Sequence, residues 1–184
     1  QRPAGLKVLI LFLSALAGLA AFYMPYRQQQ IATQVPPIHD ITTSIESPPQ
    51  FVAIVPLRAD APNPPEYLGG ETAELQRQFY PDIMSIVYIQ SPEQVFSAVT
   101  DVATALGWEI VDANLADGRV EATETTKWFG FKDDVVVRLT TGTANSTILD
   151  VRSKSRVGRS DIGVNAKRIR TFTSMLNARL GVEN

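Results

Sequence analysis

Apolar positions along the chain fall into three stretches with different periods. Residues 8–24 carry no charge and are apolar at almost every position. The following stretch contains nine of the twelve prolines and shows no sustained period of 3.6 or 2. In the last hundred residues, runs with a period of 2 alternate with two runs of helical period. The pattern predicts an N-terminal apolar helix with its flanks at residues 1–30, a proline-rich extended arm at 31–84 and a folded domain at 85–184.

The last hundred residues predict a small domain of mixed secondary structure. A strand is expected at residues 85–90 and a helix directly after it, because Ser91 and Gln94 can form a capping box and Pro92 fits the first helical position. Turn residues bound four further strands, and a final helix begins at residue 161 or 163 and ends at 180. The four strands are expected at residues 108–113, 119–126, 134–140 and 146–155.

The predicted element order is β-α-β-β-β-β-α. Sequential strands joined by short turns pair antiparallel, and two amphipathic helices in such an order cover one face of the sheet. The predicted fold class is therefore α+β, with a five-stranded antiparallel sheet and two helices on one face. This order resembles the half-repeat of TATA-binding-protein-like folds, a resemblance of topology that implies nothing about function.

The first apolar stretch has the composition of a membrane-spanning helix. Its 17 residues, 8–24, lie at the short end of the roughly 17–25 residues that a span needs. Tyr23 and Tyr26 stand where interfacial aromatic side chains belong. Pro25 and then the polar residues 27–30 are expected to end the helix. A cleaved secretory signal peptide is the alternative. The length favours a retained transmembrane helix.

Small residues recur along this helix at a spacing that favours helix packing. Ser14 and Gly18 stand four apart, as do Ala17 and Ala21. Such spacing lets a second helix approach closely, although alanine and glycine are also simply common in short spans. Arg2 and Lys7 precede the span and Arg27 follows it, which favours a cytoplasmic N-terminus and a main domain on the periplasmic side.

The proline-rich arm is expected to lie against something, because it is not purely polar. Isoleucine, valine and phenylalanine recur in it, and a spacer would not need them. We therefore expect the arm to pack against its own domain or a partner, with one short helix at residues 71–79. His39 and Asp40 suggest a metal site or a general base. Without a second histidine, a cysteine or a placed nucleophile, both interpretations are poor.

Composition narrows the function classes. The net charge is −2, but residues 119–184 carry 12 Lys/Arg against 7 Asp/Glu, whereas residues 1–118 carry 5 against 12. The basic part can contact a membrane surface, an acidic partner or an anion. It is too weakly basic to indicate nucleic-acid binding. The chain has no cysteine, which excludes disulfides, thiolate metal sites and cysteine nucleophiles.

Two motifs near the C-terminus resemble those of a known family. WFGFKDDVVVRL begins at Trp128, and VRSKSRVGRSDIGVNAKRIR begins at Val151. With PPIHDITT and PPQF earlier in the chain, they resemble the uncharacterised DUF1499 family over about residues 35–180. The resemblance implies preceding membrane-spanning segments, which are frequent in this family. It implies no activity, no cofactor and no catalytic residue.

The charges of these motifs allow three interpretations. Asp133 and Asp134 open one predicted strand and three cations end the next, so adjacent antiparallel strands can pair them into a structural network. Alternatively, cations and a serine before the last helix can hold an anion at the helix start, although Asp161 can already fill that position. Thirdly, aromatic residues and arginines can anchor a protein interface, although core burial is the commoner fate of aromatic side chains. The residues concerned are Trp128, Phe129, Phe131, Arg152, Lys154, Arg156, Arg159 and Ser160.

These observations predict a non-enzymatic, membrane-anchored accessory subunit that caps or stabilises a larger membrane complex. The expected partners are membrane proteins and the lipid bilayer, and a respiratory or photosynthetic complex is a plausible host. An anion or lipid-headgroup binding module of the cell envelope, using Arg152, Arg156 and Arg159, is the alternative. An enzyme is the weakest interpretation, because no nucleophile–base pair, metal set or cofactor loop can be assembled. We expect no cofactor and no metal.

Overall fold

The computed structural model describes residues 4–127 and 129–182 and divides into two compact units. The first unit covers residues 1–36 and the second covers residues 37–184. Most of the proline-rich arm therefore belongs to the same compact unit as the α+β domain.

The first unit contains one long helix, α1 (Ala4–Ala32). Its residues Gly5–Arg27 are long and apolar enough to cross a membrane, with a mean hydropathy of 2.2. The prediction that Pro25 and residues 27–30 end the helix was wrong, because α1 continues through them to Ala32. A proline removes one backbone donor, and helical bonding resumes beyond it, as the Thr33 N–H donates to the Gln29 carbonyl at 3.2 Å.

The second unit contains one antiparallel sheet and three α-helices in the described residues. The helices are α2 (Gly70–Phe79), α3 (Pro92–Ala105) and α4 (Val164–Leu180). The strands are β1 (Asp40–Thr42), β2 (Ile86–Tyr88), β3 (Glu109–Asn114), β4 (Arg119–Thr125), β5 (Lys132–Thr141) and β6 (Thr147–Ser155). The α+β class, the antiparallel sheet and the predicted helices are confirmed.

The sheet has six strands where the sequence predicts five. Its order is β1-β6-β5-β4-β3, and β2 also pairs with β6. The added strand β1 pairs with residues 152–154 of β6, and β2 pairs with residues 147–149. Two short strands therefore lie end to end along one edge of β6. The hydrophobic pattern does not reveal β1 because it is only three residues long and follows two prolines.

One face of the sheet packs against α3 and α4. Val95 and Val99 of α3 and Phe172 and Leu176 of α4 are buried against this face. The Trp108 ring stacks on Phe172 with 5.3 Å between centroids. The capping box that begins α3 is confirmed, since the Ser91 hydroxyl accepts from the Gln94 N–H and the Gln94 side chain accepts from the Ser91 N–H.

The opposite face of the sheet is covered in part by the arm. Phe51 and Ile54 are buried there against Val136 of β5, and a short 3-10 helix (Val55–Arg58) follows them. Side chains alternate between the two faces along a strand. Val135 and Val137 therefore face the helices, while Asp134 and Val136 face the arm. Polar and charged strand positions thus become buried on the arm side.

The predicted β3–β4 turn requires its glycine. Gly118 has φ = +59°, a conformation that favours glycine. A Cβ placed there would lie 2.3 Å from the Leu139 carbonyl oxygen of β5. The Leu139 N–H also donates to the Gly118 carbonyl at 2.7 Å. A side chain at this position would separate the turn from β5.

Candidate functional site

Charged side chains lie buried between the sheet and the arm, and we call them the ionic layer. Each is at least 97% shielded from solvent in the fold. Burying a charge is costly unless it is paired and hydrogen-bonded. The layer comprises Asp40, Arg58, Glu121, Asp134, Arg152 and Lys154.

Asp134 lies at the centre of the ionic layer and binds two arginines. Arg58 of the arm donates from Nη1 to Asp134 Oδ2 at 2.6 Å. Arg156 binds the same carboxylate in a bidentate manner, from Nε at 2.9 Å and from Nη2 at 2.8 Å. Thr123 adds a hydroxyl donor at 2.7 Å. The predicted pairing of Asp134 with the end of β6 is therefore present for Arg156.

Arg152 and Lys154 bind a different carboxylate from the one that strand order suggests. Arg152 contacts Asp40 of β1 from Nε at 2.9 Å and from Nη2 at 2.8 Å. The Lys154 Nζ lies 3.1 Å from the same Asp40 carboxylate. Because β1 pairs with β6 on the edge opposite β5, Asp40 reaches these cations instead of Asp133 or Asp134.

The same cations also bind the backbone of the arm. Arg152 donates to the Pro49 carbonyl at 3.2 Å and to the Pro65 carbonyl at 2.9 Å. Lys154 donates to the Glu66 carbonyl at 2.7 Å. The Arg152 guanidinium also lies over the Phe51 ring, 4.9 Å from its centroid. These contacts hold arm segments that are far apart in sequence onto one strand.

Glu121 of β4 binds three consecutive backbone N–H groups of the arm. Its carboxylate accepts from Val52 at 2.9 Å, from Ala53 at 3.1 Å and from Ile54 at 2.9 Å. Arg119 lies 3.0 Å from the same carboxylate as its ionic partner. A carboxylate is well placed there, because consecutive N–H groups form a concave site for an anion.

Burial shifts the proton affinity of two cations in the ionic layer. It lowers the pKa of the Arg58 guanidinium, and Asp134 opposes that shift. It also lowers the pKa of the Lys154 ammonium, against the neighbouring Asp40. Both shifts follow from the loss of water around a charged group.

A second charged cluster attaches α4 to the sheet on the helical face. Arg168 donates to Asp133 Oδ2 at 2.6 Å and also binds Glu124. Its Nη1 donates to the Ser153 hydroxyl at 3.0 Å, and Asn165 accepts from both Arg168 and Ser153. Asp133 therefore faces away from Asp134. The alternation of side chains along β5 could have predicted that Asp133 and Asp134 face opposite sides of the sheet. Nothing in the sequence indicated that Arg168 pairs with Asp133.

The predicted anion position at the start of α4 is occupied by the protein's own carboxylate. Asp161 accepts from the Gly163 N–H at 2.8 Å and from the Asn165 N–H at 2.7 Å. Ser160 accepts from the Ile162 N–H at 3.2 Å. Burial raises the pKa of Asp161 despite these donors. Arg159 is exposed, and its carbonyl lies 3.3 Å from His39 Nδ1.

His39 and Asp40 diverge instead of forming a catalytic pair. The His39 ring contacts the Arg159 carbonyl, whereas the Asp40 carboxylate binds Arg152 and Lys154. His39 directly precedes β1, whose first residue is Asp40. The side chains therefore take part in separate contacts.

The aromatic motif forms an exposed hairpin tip between β4 and β5. Phe129 is 78% exposed and Phe131 is 51% exposed. Their rings stack with 5.6 Å between centroids. Trp128 lies outside the described residues. For the two phenylalanines, the expectation of core burial was wrong, because the hairpin extends beyond the helices that form the core.

A second exposed apolar surface was missed from the sequence, and we call it the β2 surface. Val87 is 63% exposed and Ile89 is 88% exposed. Val87 pairs in register with Ile148 of β6, so their side chains share the face opposite α3 and α4. The run Ile86–Tyr88 and the following Ile89 are apolar without a break. Because side chains alternate along a strand, such a run on an edge strand places apolar side chains on both faces of the sheet. The run could therefore have indicated that some of these side chains are exposed.

The small residues of α1 share one side of that helix. Ser14, Ala17, Gly18 and Ala21 have the spacing i, i+3, i+4, i+7 and all are exposed within their own unit.

The fold and its buried charges define an α+β domain that uses its most distinctive motifs to hold its own arm. A family model described as "Protein of unknown function (DUF1499)" matches residues 40–176, and the chain belongs to this family. No curated protein matches the chain. Among solved structures, it is similar to the crystal structure of CalU16 from Micromonospora echinospora at 16% identity and a TM-score of 0.31. That match covers 53% of this chain and 81% of CalU16, and a likeness this low supports no conclusion about function.

Proposed function

We propose that this protein is a membrane-anchored, non-enzymatic accessory subunit that caps or stabilises a larger membrane complex. The anchor in this proposal is α1. Its span Gly5–Arg27 is apolar on all sides, which is typical of a helix surrounded by lipid or by other membrane helices. The side of α1 that carries Gly18 and Ala21 is a candidate contact with a partner helix.

The motifs of the domain support a structural role because their polar groups are used internally. Asp134, Arg152 and Lys154 bind the arm or β1, and Asp161 caps α4. A ligand could reach the buried cations only by displacing the arm. The Arg152 and Lys154 contacts therefore favour the accessory-subunit proposal over an anion-binding module.

The observation that carries the proposal is the exposure of the β2 surface. Val87 lies on β2, which pairs with β6, and Ile89 follows directly after the end of this strand. Large apolar side chains grouped on an otherwise polar surface mark sites of protein contact. We assign this surface to a partner subunit.

Two finer features belong to the same proposal. We propose the periplasmic side for the domain, because Arg2 and Lys7 precede the span in sequence and Arg27 follows it. A respiratory or photosynthetic complex is the proposed kind of host. Protease accessibility of the domain in intact cells and in inside-out vesicles tests the orientation directly.

The test of the proposed function is affinity purification of the tagged full chain from native membranes in mild detergent, with mass spectrometry. We expect a stoichiometric membrane complex with the wild type. The double variant Val87→Ser/Ile89→Ser should lose it. Leu115→Ser, which changes an exposed apolar residue in the β3–β4 turn, is the matched control and should retain it. A wild-type chain that purifies alone contradicts the proposal.

A further inference from the structure

The hairpin tip between β4 and β5, described at residues 126–127 and 129–132, is an exposed apolar surface with a different character from the β2 surface. Its shape is set by backbone bonds around Thr126. The Thr126 N–H donates to the Phe131 carbonyl at 2.8 Å, and the Phe131 N–H donates to the Thr126 hydroxyl at 2.9 Å. The Gly130 N–H donates to the Thr126 carbonyl at 3.0 Å, and Gly130 has φ = +65°. These bonds set the path of the turn while Phe129 and Phe131 stay exposed.

The two phenylalanines form a preorganised apolar projection. Because Phe129 and Phe131 stack on each other, they present a single apolar body to solvent. Leu57 of the arm and Val157 after β6 line a shallow cleft beside Phe131 and extend this apolar area. An ordered and exposed aromatic pair contributes nothing to the core of its own domain. Its apolar area becomes favourable only when something covers it.

Charge distinguishes this tip from the β2 surface. Lys127 and Lys132 flank the phenylalanines, and both are exposed. Neither lysine takes part in the ion pairs formed within residues 4–127 and 129–182. The acids that follow Lys132 in sequence are buried and bound to arginines. Asp60 is the acidic residue that lines the cleft beside Phe131.

We propose that this hairpin tip docks onto a bilayer surface that contains anionic lipids. Phenylalanine side chains on the apolar face of a membrane-surface element insert at the boundary between headgroups and acyl chains. Lysines beside them keep their ammonium groups among anionic headgroups while their stems lie along apolar surface. Two exposed phenylalanines lie between two lysines that form no ion pair in the described part of the chain, and this combination matches both requirements.

A covalent anchor makes such a contact effective even when the contact is weak. With α1 in the bilayer, docking of the tip becomes an intramolecular event, and the lipid is present at high effective concentration. Each lysine contributes roughly fivefold to binding of an anionic surface. The inference goes beyond the proposed function and holds whether or not a partner subunit binds the β2 surface.

The test uses the full chain reconstituted into vesicles of phosphatidylcholine with phosphatidylserine. The chain lacks cysteine, so a single introduced cysteine carries a unique fluorescent label. Thr125→Cys places the label beside the tip. Ala116→Cys places it in the β3–β4 turn at the other end of β4, as the matched control. A lipid-attached quencher should reduce emission at position 125 well below that at position 116.

Two double variants separate the contributions of the tip in the Thr125→Cys background. Phe129→Ser/Phe131→Ser should shift the ratio of docked to free tip by about 100-fold and reduce quenching to the level of position 116. Phe129→Leu/Phe131→Leu keeps an apolar tip and should retain most of the quenching. Lys127→Gln/Lys132→Gln should make quenching in serine-lipid vesicles equal to that in pure phosphatidylcholine. Thermal unfolding of every variant should match that of the wild type, because these side chains are exposed.

Equal quenching of the labels in the Thr125→Cys and Ala116→Cys chains without further substitution would overturn the proposal. Unchanged quenching in Phe129→Ser/Phe131→Ser would overturn it as well. Protection of the tip in native membranes without any quenching in protein-free lipid would overturn it in favour of a protein partner.

Discussion

Asp134 shows how a single buried carboxylate can hold together distant parts of this chain. It joins Arg58 of the arm, Arg156 after β6 and Thr123 of β4 in one cluster. A buried ion pair contributes little net stability compared with an apolar replacement of similar volume. Removing one partner, however, leaves an uncompensated buried charge. We therefore expect the free energy of unfolding to respond more strongly to removal of the Asp134 carboxylate alone than to replacement of the whole pair by apolar residues.

Asp134→Ala is predicted to lower the free energy of unfolding by about 3–5 kcal/mol, because Arg58 would stay buried without a counter-charge. Asp101→Ala is the control, since it breaks the exposed pair with Arg179 and should cost less than about 1 kcal/mol. Chemical denaturation of the full chain in detergent measures both. Equal effects of the two substitutions would contradict the structural role of the ionic layer.

At the residue scale, local pairs were predictable and remote pairs were not. The pairing of Asp134 with Arg156 follows from adjacent strands, and the capping role of Asp161 follows from its place before a helix. Arg58 is an isolated arginine among prolines, and nothing near it in sequence indicates Asp134. The pairing of Asp40 with Arg152 required knowledge that β1 pairs with β6, which only the three-dimensional structure supplies.

At the scale of a single element, Asp161 at the start of α4 is expected to make the stability of the fold depend on pH. Burial raises the pKa of Asp161, so the folded protein binds the proton there more tightly than the unfolded chain does. The contribution of this group to stability is therefore full below the ordinary pKa of an aspartate, 3.8. It is lost as the pH rises through the raised pKa.

Asp161→Asn removes this titration and keeps a side-chain acceptor for the N–H groups of Gly163 and Asn165. The free energy of unfolding of the wild type minus that of Asp161→Asn is predicted to fall as the pH rises from acid to neutral. Denaturant titrations across that range measure this difference. A difference that stays constant or rises with pH would show that the pKa of Asp161 is not raised.

The arm is held to β4 by Glu121, and this contact makes a prediction for one segment. Glu121→Ala removes the acceptor of three arm N–H groups and is predicted to increase hydrogen exchange in residues 51–58. Exchange in α3, which packs on the other face, should change far less. Glu109→Ala, at an exposed position of β3, is the control. Unchanged exchange in the arm would contradict its attachment through Glu121.

At the element scale, hydrophobic period and turn residues predicted most of the domain. Local conformation is determined by residues such as the capping pair Ser91 and Gln94 and the turn glycine Gly118. The sequence near them was therefore sufficient to predict the start of α3 and the β3–β4 turn. The path of the arm could not be predicted, because prolines remove periodicity and its contacts are made by carbonyl groups that every residue possesses. The exposure of Phe129 was mispredicted because aromatic side chains are more often buried.

The whole molecule combines a candidate membrane helix with a domain whose sheet is covered on one face by helices and partly on the other by an ionically attached arm. The charged motifs that characterise the sequence account for that attachment. The β2 surface and the hairpin tip remain outside it, and we assign them to a partner subunit and to the bilayer surface, respectively. These assignments make the chain a link between a membrane complex and its lipid surroundings.

The proposed role as an accessory subunit is tested most directly by the size of the species that carries the wild-type chain in native membranes solubilised in mild detergent. We expect the chain to migrate on a native gel as a stoichiometric component of a larger complex, and we expect that alkaline washing does not release it from the membrane. Migration as a lone monomer, or release by alkaline washing, would rule this role out.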